Sequence, residues 1–206
     1  ICRKNTKYLL KKAHPLMEIY REEKRAALFD FLEKDSHEEG QRRRILAAPP
    51  LFVIPQEVLK QILAENGISR QECAGILKAH AREQRRIESI LTHSQVIDEL
   101  SQVTKAEYEK YPAVLPVAEC FLEKDILLTY QEYRTCVEAA MAYADVHKNY
   151  QFSLIKVKGF HNIQITCRME KWCMVSKNKT PSIHFVIHHP KLRYALENMI
   201  LPIRDS

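Results

Sequence analysis

The clearest secondary-structure pattern in the sequence lies in residues 150–201, YQFSLIKVKGFHNIQITCRMEKWCMVSKNKTPSIHFVIHHPKLRYALENMIL. Apolar and polar residues alternate over 163–170 and again over 183–187, a period of two that is typical of half-buried strands. Glu170-Lys171 indicates a tight turn into a further strand. A helical pattern then opens at Pro190, and its apolar face consists of Leu192, Ala195, Leu196, Met199 and Ile200. The stretch predicts a small antiparallel sheet closed by a helix.

The remainder of the chain is predicted to be mostly helical. Helix starts are marked by S/T-x-x-E capping boxes at Ser69, Thr104 and Thr129. Pro112 and Pro116 mark the clearest change in composition. We therefore predict an α+β fold, in which a helical linker or dimerisation portion, 1–111, precedes an α+β regulatory domain, 112–206. That second domain would hold an antiparallel sheet of about four strands packed with helices.

Two segments before residue 112 are predicted to lie outside any sheet. The stretch KDSHEEGQRRR, residues 34–44, is charged and contains one glycine, which indicates a connection between helices. Residues 94–103 are predicted to form a short helix. Neither segment is expected to contribute a strand.

Composition indicates an ordinary globular protein. Of 206 residues, 46% are hydrophobic and 28% are charged, and the net charge is +6. A mild, scattered positive charge permits a nucleic-acid partner without requiring one. No stretch approaches the ~20 apolar residues of a membrane span, so no membrane association is expected. The sequence begins at Ile1 without a methionine, and we expect it to be a fragment of a longer chain.

The cysteine pattern favours free thiols. The chain has six cysteines and no C-x-x-C pair, so the spacing of a zinc ribbon is absent. A chain this long also builds its own core without disulfides. We therefore expect six reduced cysteines in a cytoplasmic protein. They are Cys2, Cys73, Cys120, Cys136, Cys167 and Cys173.

No motif for catalysis is found. The sequence lacks a G-x-S-x-G nucleophile elbow and an H-E-x-x-H zinc motif. His184, His188 and His189 cluster near the last strand, but no acidic residue is close in sequence, so we predict hydrogen-bonded histidines and no metal site. The Gly67-Ile68-Ser69 corner fits an ordinary turn between two helices better than a helix-turn-helix. We therefore predict no enzymatic activity and no cofactor.

A polar face of the predicted sheet is the candidate binding surface. Two interpretations stay open. The first is an ordinary solvated face, which is favoured because no cavity is visible in a sequence. The second is a site for a small ligand formed by Asn162, Gln164, Arg168, Trp172 and His184. In both, alternation places His184 on the polar face and Phe185 in the core, so Phe185→Ala is expected to cost about 3–5 kcal/mol and His184→Ala much less.

Three blocks of the sequence carry a family resemblance. Asn162-Ile163-Gln164, the strand from Trp172 to Lys177, and the passage from Ile183 to Leu192 resemble the C-terminal region of XRE-class helix-turn-helix transcriptional regulators of Firmicutes. The resemblance covers roughly residues 45–201. It implies a cytoplasmic, homodimeric bacterial regulator that binds DNA through a domain upstream of Ile1. The part in hand would then bind an unknown small-molecule effector.

Three functions are therefore compared. The first is an effector-sensing or dimerising region of a transcriptional regulator. The second is an enzyme domain with a Cys/His or His-cluster site at the sheet. The third is a protein–protein interaction module built on the long helix predicted over 69–92. We favour the first.

Overall fold

The structure, a computed structural model, describes residues 16–117, 120, 122–156 and 161–200. Its strands are β1 (Met17–Tyr20), β2 (Arg42–Leu46), β3 (Val96–Ser101), β4 (Tyr150–Ile155), β5 (Ile163–Arg168), β6 (Trp172–Lys177) and β7 (Ile183–Ile187). Its α-helices are α1 (Arg25–Asp35), α2 (Gln56–Glu65), α3 (Arg70–Leu91), α4 (Lys105–Lys110), α5 (Tyr130–Val146) and α6 (Pro190–Ile200).

The strands form one mixed sheet of seven strands in the order β1-β7-β6-β5-β2-β3-β4. Pairing is antiparallel from β1 through to β2, and parallel from β2 through β3 to β4. The predicted α+β sheet, antiparallel and of about four strands, is therefore wrong in both its size and its strand directions. A sheet of this width needs strands from the whole chain.

Three of these strands come from the portion that was predicted to be helical. β2 lies at the end of the segment expected to be a connection, and β3 lies in the segment expected to be a short helix. Their sequences, RRRIL and VIDELS, carry charges where a buried strand is normally apolar. These charges obscured the strands because Arg43 and Arg44 of β2 are neutralised by Glu99 and Asp98 of β3, which lie 56 and 54 residues away along the chain.

The sheet crosses the predicted boundary at residue 112. β2 pairs with β5, and β3 pairs with β4, so strands from the two predicted portions are hydrogen-bonded to each other in one sheet. The predicted division into a portion 1–111 and a domain 112–206 stays a prediction.

The predicted helix starts are confirmed. Ser69, Thr104 and Thr129 each accept a hydrogen bond from the backbone three residues later, and the glutamate there bonds back to the cap residue. These reciprocal bonds satisfy backbone N–H groups that a helix start would otherwise leave unpaired. Within the described ranges, no helix is long and apolar enough to cross a membrane.

Both faces of the sheet are covered. On one side, here called the α1 face, Trp172, Met174 and Val186 pack against Leu28 and neighbouring residues of α1. On the opposite side, the α6 face, Ile165, Cys167 and Cys173 pack against Ile200 and Leu196 of α6. Strand alternation and register also place Arg42, Arg44, Gln164, Thr166, Arg168, Ser176 and His184 on the α1 face.

The polar face of the predicted sheet is therefore an interior face. His184 is fully buried, and its Nδ1 lies 2.9 Å from Ser176 Oγ, whereas Phe185 is only half-buried on the α6 face. The expectation that Phe185 is in the core and that His184 lies on a solvated face is wrong. The alternation itself is correct, but α1 covers Met174 and Val186 on the side that was assigned to solvent, and His184 on that side shares a small cavity with Leu115 and Ile126.

The expectation of six free thiols is also wrong. Cys167 and Cys173 face each other on β5 and β6 and form a disulfide. Cys73, Cys120 and Cys136 are not part of a disulfide among the described residues, and Cys2 lies outside those residues. Burial raises the pKa of the Cys136 thiol to about 12, so this thiol stays protonated and unreactive in the folded protein.

Thiol titration checks the disulfide. Protein that is unfolded without reductant is expected to show two fewer thiols than the same protein after reduction, because Cys167 and Cys173 are joined. The Cys167→Ser, Cys173→Ser double variant is the control, and its thiol count should not change on reduction. Equal counts for the wild-type chain before and after reduction would contradict the disulfide.

Candidate functional site

A cavity of about 120 Å³ lies between the α1 face of the sheet and helices α1 and α3. One water needs only ~10–15 Å³ of such space, so the cavity has room for a small organic molecule. Its apolar lining comes from Leu32, Leu46, Pro50, Leu51, Ala79, Ile87, Ile90, Val96, Pro116, Val117 and Met174. Its polar lining comes from Asp35, Arg42, Arg44, Glu83, Arg86, Gln164, Thr166, Ser176 and Asn178.

The floor of the cavity is a patch of uncharged polar side chains on β5 and β6. Gln164 and Ser176 are cross-strand partners, and Gln164 Nε2 donates to Thr166 Oγ1 at 3.3 Å. Asn178 follows β6 directly and is held by its backbone N–H, which donates to Asn162 O at 2.9 Å. Amide and hydroxyl groups thus converge on one wall of the cavity.

One end of the cavity is closed by Asp35, the last residue of α1. Its Oδ2 accepts from Arg42 Nε at 3.1 Å, and its Oδ1 accepts from Arg168 Nη1 at 2.9 Å and from Trp172 Nε1 at 2.8 Å. We call these four residues the Asp35 cluster. All four are buried. Burial lowers the pKa of Arg42, and the opposing charge of Asp35 offsets this only in part.

A second buried ion pair lies on the neighbouring strands. Arg44 on β2 forms a bidentate ion pair with Asp98 on β3. Its Nε donates to Oδ1 at 2.6 Å, and its Nη2 donates to Oδ2. The hydroxyl of Tyr150 donates to the same Oδ2 at 2.7 Å. Burial alone would lower the pKa of Arg44, but the charge of Asp98 raises it above the ordinary value. Burial, followed by the charge of Asp98, raises the pKa of Tyr150.

Helix α3 supplies the wall opposite the sheet. Glu83 and Arg86 lie one turn apart on it, and Glu83 Oε1 is 3.8 Å from Arg44 Nη1. Arg86 Nη1 is 3.8 Å from Glu33 Oε2 on α1. Both distances are longer than a hydrogen bond. The charged side chains that line the cavity therefore belong to two helices, α1 and α3, and to one strand, β2.

The predicted ligand residues occupy different positions around this cavity. Gln164 lines it directly. Arg168 and Trp172 lie behind Asp35 and bind it. His184 is separated from the cavity by Ser176 and lines a second, much smaller one. Asn162 precedes β5 with a left-handed φ of 59° and contributes its carbonyl to Asn178.

The solvated-face interpretation is wrong for most of this group, since Arg168, Trp172 and His184 are all buried. The sequence-based set also omitted Asp35, Arg44, Arg86 and Asn178. A signal for two of the strands was present in hindsight. Arg42 and Arg44 alternate, as residues on one strand face do, and Asp98-Glu99 lies between the apolar residues Ile97 and Leu100.

Two further candidate sites from the sequence, the Gly67 corner and a metal site, have no functional geometry among the described residues. Gly67 adopts a left-handed φ of 60° at the end of α2, and α3 then packs inward through Ile76, Ala79 and Ile87. The corner is therefore an ordinary turn between packed helices. Within the described ranges, no three of the His, Cys, Asp and Glu side chains are grouped so that they could hold a metal ion.

Comparison with known proteins does not identify the chain. No protein-family model and no curated protein matches it. NucT from Helicobacter pylori is a distant structural neighbour, with a TM-score of 0.47 and 8% identity over 92% of this chain and 96% of that one. TrmBL2, an archaeal chromatin protein with a novel mode of DNA binding, has a TM-score of 0.39 and 9% identity over 98% of this chain and 60% of that one.

Similarity at these levels carries no argument about function. The resemblance to XRE-class regulators and the expected lack of enzymatic activity therefore stay predictions.

Proposed function

We propose that this chain is the small-molecule-sensing region of a bacterial transcriptional regulator, and that the effector binds in the cavity on the α1 face. The observation that supports this is the cavity itself, which combines an apolar wall with convergent amide, hydroxyl and guanidinium groups. The regulatory context comes from the resemblance to XRE-class proteins. DNA contact through a domain not in this sequence, homodimerisation and a cytoplasmic location belong to the same proposal.

The position of the cavity suits a sensor. Its walls come from α1, from α3 and from β2, β5 and β6, so one ligand would contact elements from most of the chain. A ligand shifts a conformational equilibrium only through different contacts in the two states. Helix α3 spans 22 residues and contributes Ala79, Glu83, Arg86, Ile87 and Ile90 to the cavity, which makes it the element through which binding would be transmitted.

The alternative of an interaction module built on α3 has less support. Ile76, Ala79, His80, Arg86, Ile87, Ile90 and Leu91 of this helix are buried. A helix that presents its apolar face to its own sheet is not available as a docking surface.

Ligand binding is tested by thermal shift against a library of small metabolites. A true ligand at ~100 times its Kd stabilises the folded state by about 2.7 kcal/mol. Ala79→Leu fills the cavity from α3 and is expected to abolish that shift. Ala64→Leu, on the exposed side of α2, is the matched control and should retain it. A library without any compound whose effect depends on Ala79 would contradict the proposal.

A further inference from the structure

The charges around the cavity are nearly balanced. Four guanidinium groups, of Arg42, Arg44, Arg86 and Arg168, line it or directly contact its lining, and all are buried. Three largely buried carboxylates face them, and these are Asp35, Asp98 and Glu83. Two carboxylates that are about half exposed complete the shell, since Glu33 lies 3.8 Å from Arg86 and Glu38 lies 3.6 Å from Arg168.

A charged ligand would disturb this balance. Moving an ion out of water costs several kcal/mol, and the cost is recovered only if the site offers an opposite charge that is not already compensated. Here Asp35 already accepts from three buried side chains, and Arg44 already forms a two-pronged bond to Asp98. Neither the acid nor the base of these pairs can be diverted to a ligand without leaving its partner buried and unpaired.

The uncharged floor of the cavity, in contrast to the charged pairs, has a hydrogen-bond donor that is available to a ligand. The side-chain Nδ2 of Asn178 is buried, and no described residue accepts a hydrogen bond from it. A buried donor of this kind costs free energy until an acceptor reaches it. Gln164, Thr166 and Ser176 lie beside it, and amide and hydroxyl groups both donate and accept, which matches uncharged hydroxyl, carbonyl or amide groups.

We propose that the ligand is an uncharged small molecule with a carbonyl, amide or hydroxyl oxygen that accepts from Asn178 and an apolar body that packs on Leu32, Ile87 and Met174. This inference rests on the proposed function and adds the chemical class of the effector.

Three probes of one size and different charge test the inference at pH 7. They are benzamide, benzoate and benzylamine, and their binding is measured by isothermal titration calorimetry against the wild-type chain and Ala79→Leu. Benzamide is expected to bind at least about tenfold more tightly than either ion, which corresponds to ~1.4 kcal/mol. Asn178→Leu is expected to weaken the binding of benzamide by a similar factor. The melting temperature of this variant without ligand should be unchanged or higher.

A charge variant makes the test specific. Glu83→Gln raises the net charge of the residues around the cavity by one unit. The affinity for benzoate, relative to that for benzamide, should therefore increase by about tenfold. Glu57→Gln, a matched change on the exposed surface of α2, should leave the ratio unchanged.

The outcomes separate the two proposals. Tight binding of benzoate or benzylamine by the wild-type chain would overturn the uncharged class and leave the cavity as a ligand site. Failure of all three probes would overturn the uncharged class as well. If, in addition, no compound in the metabolite library gave a thermal shift that Ala79→Leu abolishes, the proposed sensing function would also be contradicted.

Discussion

Replacing Asp35 with alanine is expected to lower the free energy of unfolding by about 3–5 kcal/mol, because breaking a buried ion pair leaves its partners charged and unpaired. Arg42 and Arg168 both lose their buried counter-ion, and the indole N–H of Trp172 loses its acceptor. Denaturant unfolding measures the loss as a lower midpoint with an unchanged slope. Asp35→Asn should be milder, since the amide oxygen still accepts.

Glu38→Ala is the matched control for this experiment. Glu38 also approaches Arg168, at 3.6 Å, but about half of its side chain is exposed. Exposed ion pairs contribute at most ~1 kcal/mol, so this change should cost less than that. Equal losses for the two variants would show that the Asp35 cluster is not the buried network described above.

Asp98→Ala is expected to cost about as much, ~3–5 kcal/mol, because Arg44 would remain buried without its bidentate partner. Tyr150→Phe removes one hydrogen bond to the same carboxylate and should cost about 1.5–3 kcal/mol. The double variant should lose less than the sum, since residues that share one network are not additive.

Asp145→Ala provides the control, because Asp145 is an exposed aspartate on α5. It should change the free energy of unfolding by no more than ~0.5 kcal/mol. Strict additivity of the Asp98 and Tyr150 changes would contradict a shared network.

Local features of the fold were predictable where their physics is local. The capping boxes at Ser69, Thr104 and Thr129 need only four consecutive residues, and all three form. The alternation of β5 and β7 and the start of α6 at Pro190 are also local patterns, and the structure has them. These signals depend on backbone geometry and not on distant partners.

The sheet as a whole was not predictable for the opposite reason. A strand such as RRRIL is stable in the interior only because Asp35, Asp98 and Glu99 reach its three arginines, and Asp98 and Glu99 are more than 50 positions away from them. A single sequence gives no way to pair those charges. The consecutive arginines instead resemble a solvated connection, so the sequence-based prediction lacked β2, an interior strand of the sheet.

The candidate site was predictable in part. Gln164, Arg168, Trp172 and His184 were selected because they share one strand face, and the structure places them on one face. Their setting was missed, since only tertiary structure shows that α1 covers that face and that α3 leaves a cavity beside it. Asn178, Arg44 and Arg86 enter the site from a loop, another strand and a helix.

The Asp35 cluster also sets an order for folding during synthesis. Asp35 and Arg168 are 133 residues apart in the sequence. Since the ribosome adds about 5–20 residues per second, Arg168 is synthesised roughly 7–27 s after Asp35. Once β3 has been synthesised, β2 can pair with it on one edge but still lacks β5 on the other. An unpaired strand edge attracts other chains. The nascent protein therefore passes through a stage in which chaperone protection matters most, and this stage ends only when β5 and β6 have emerged.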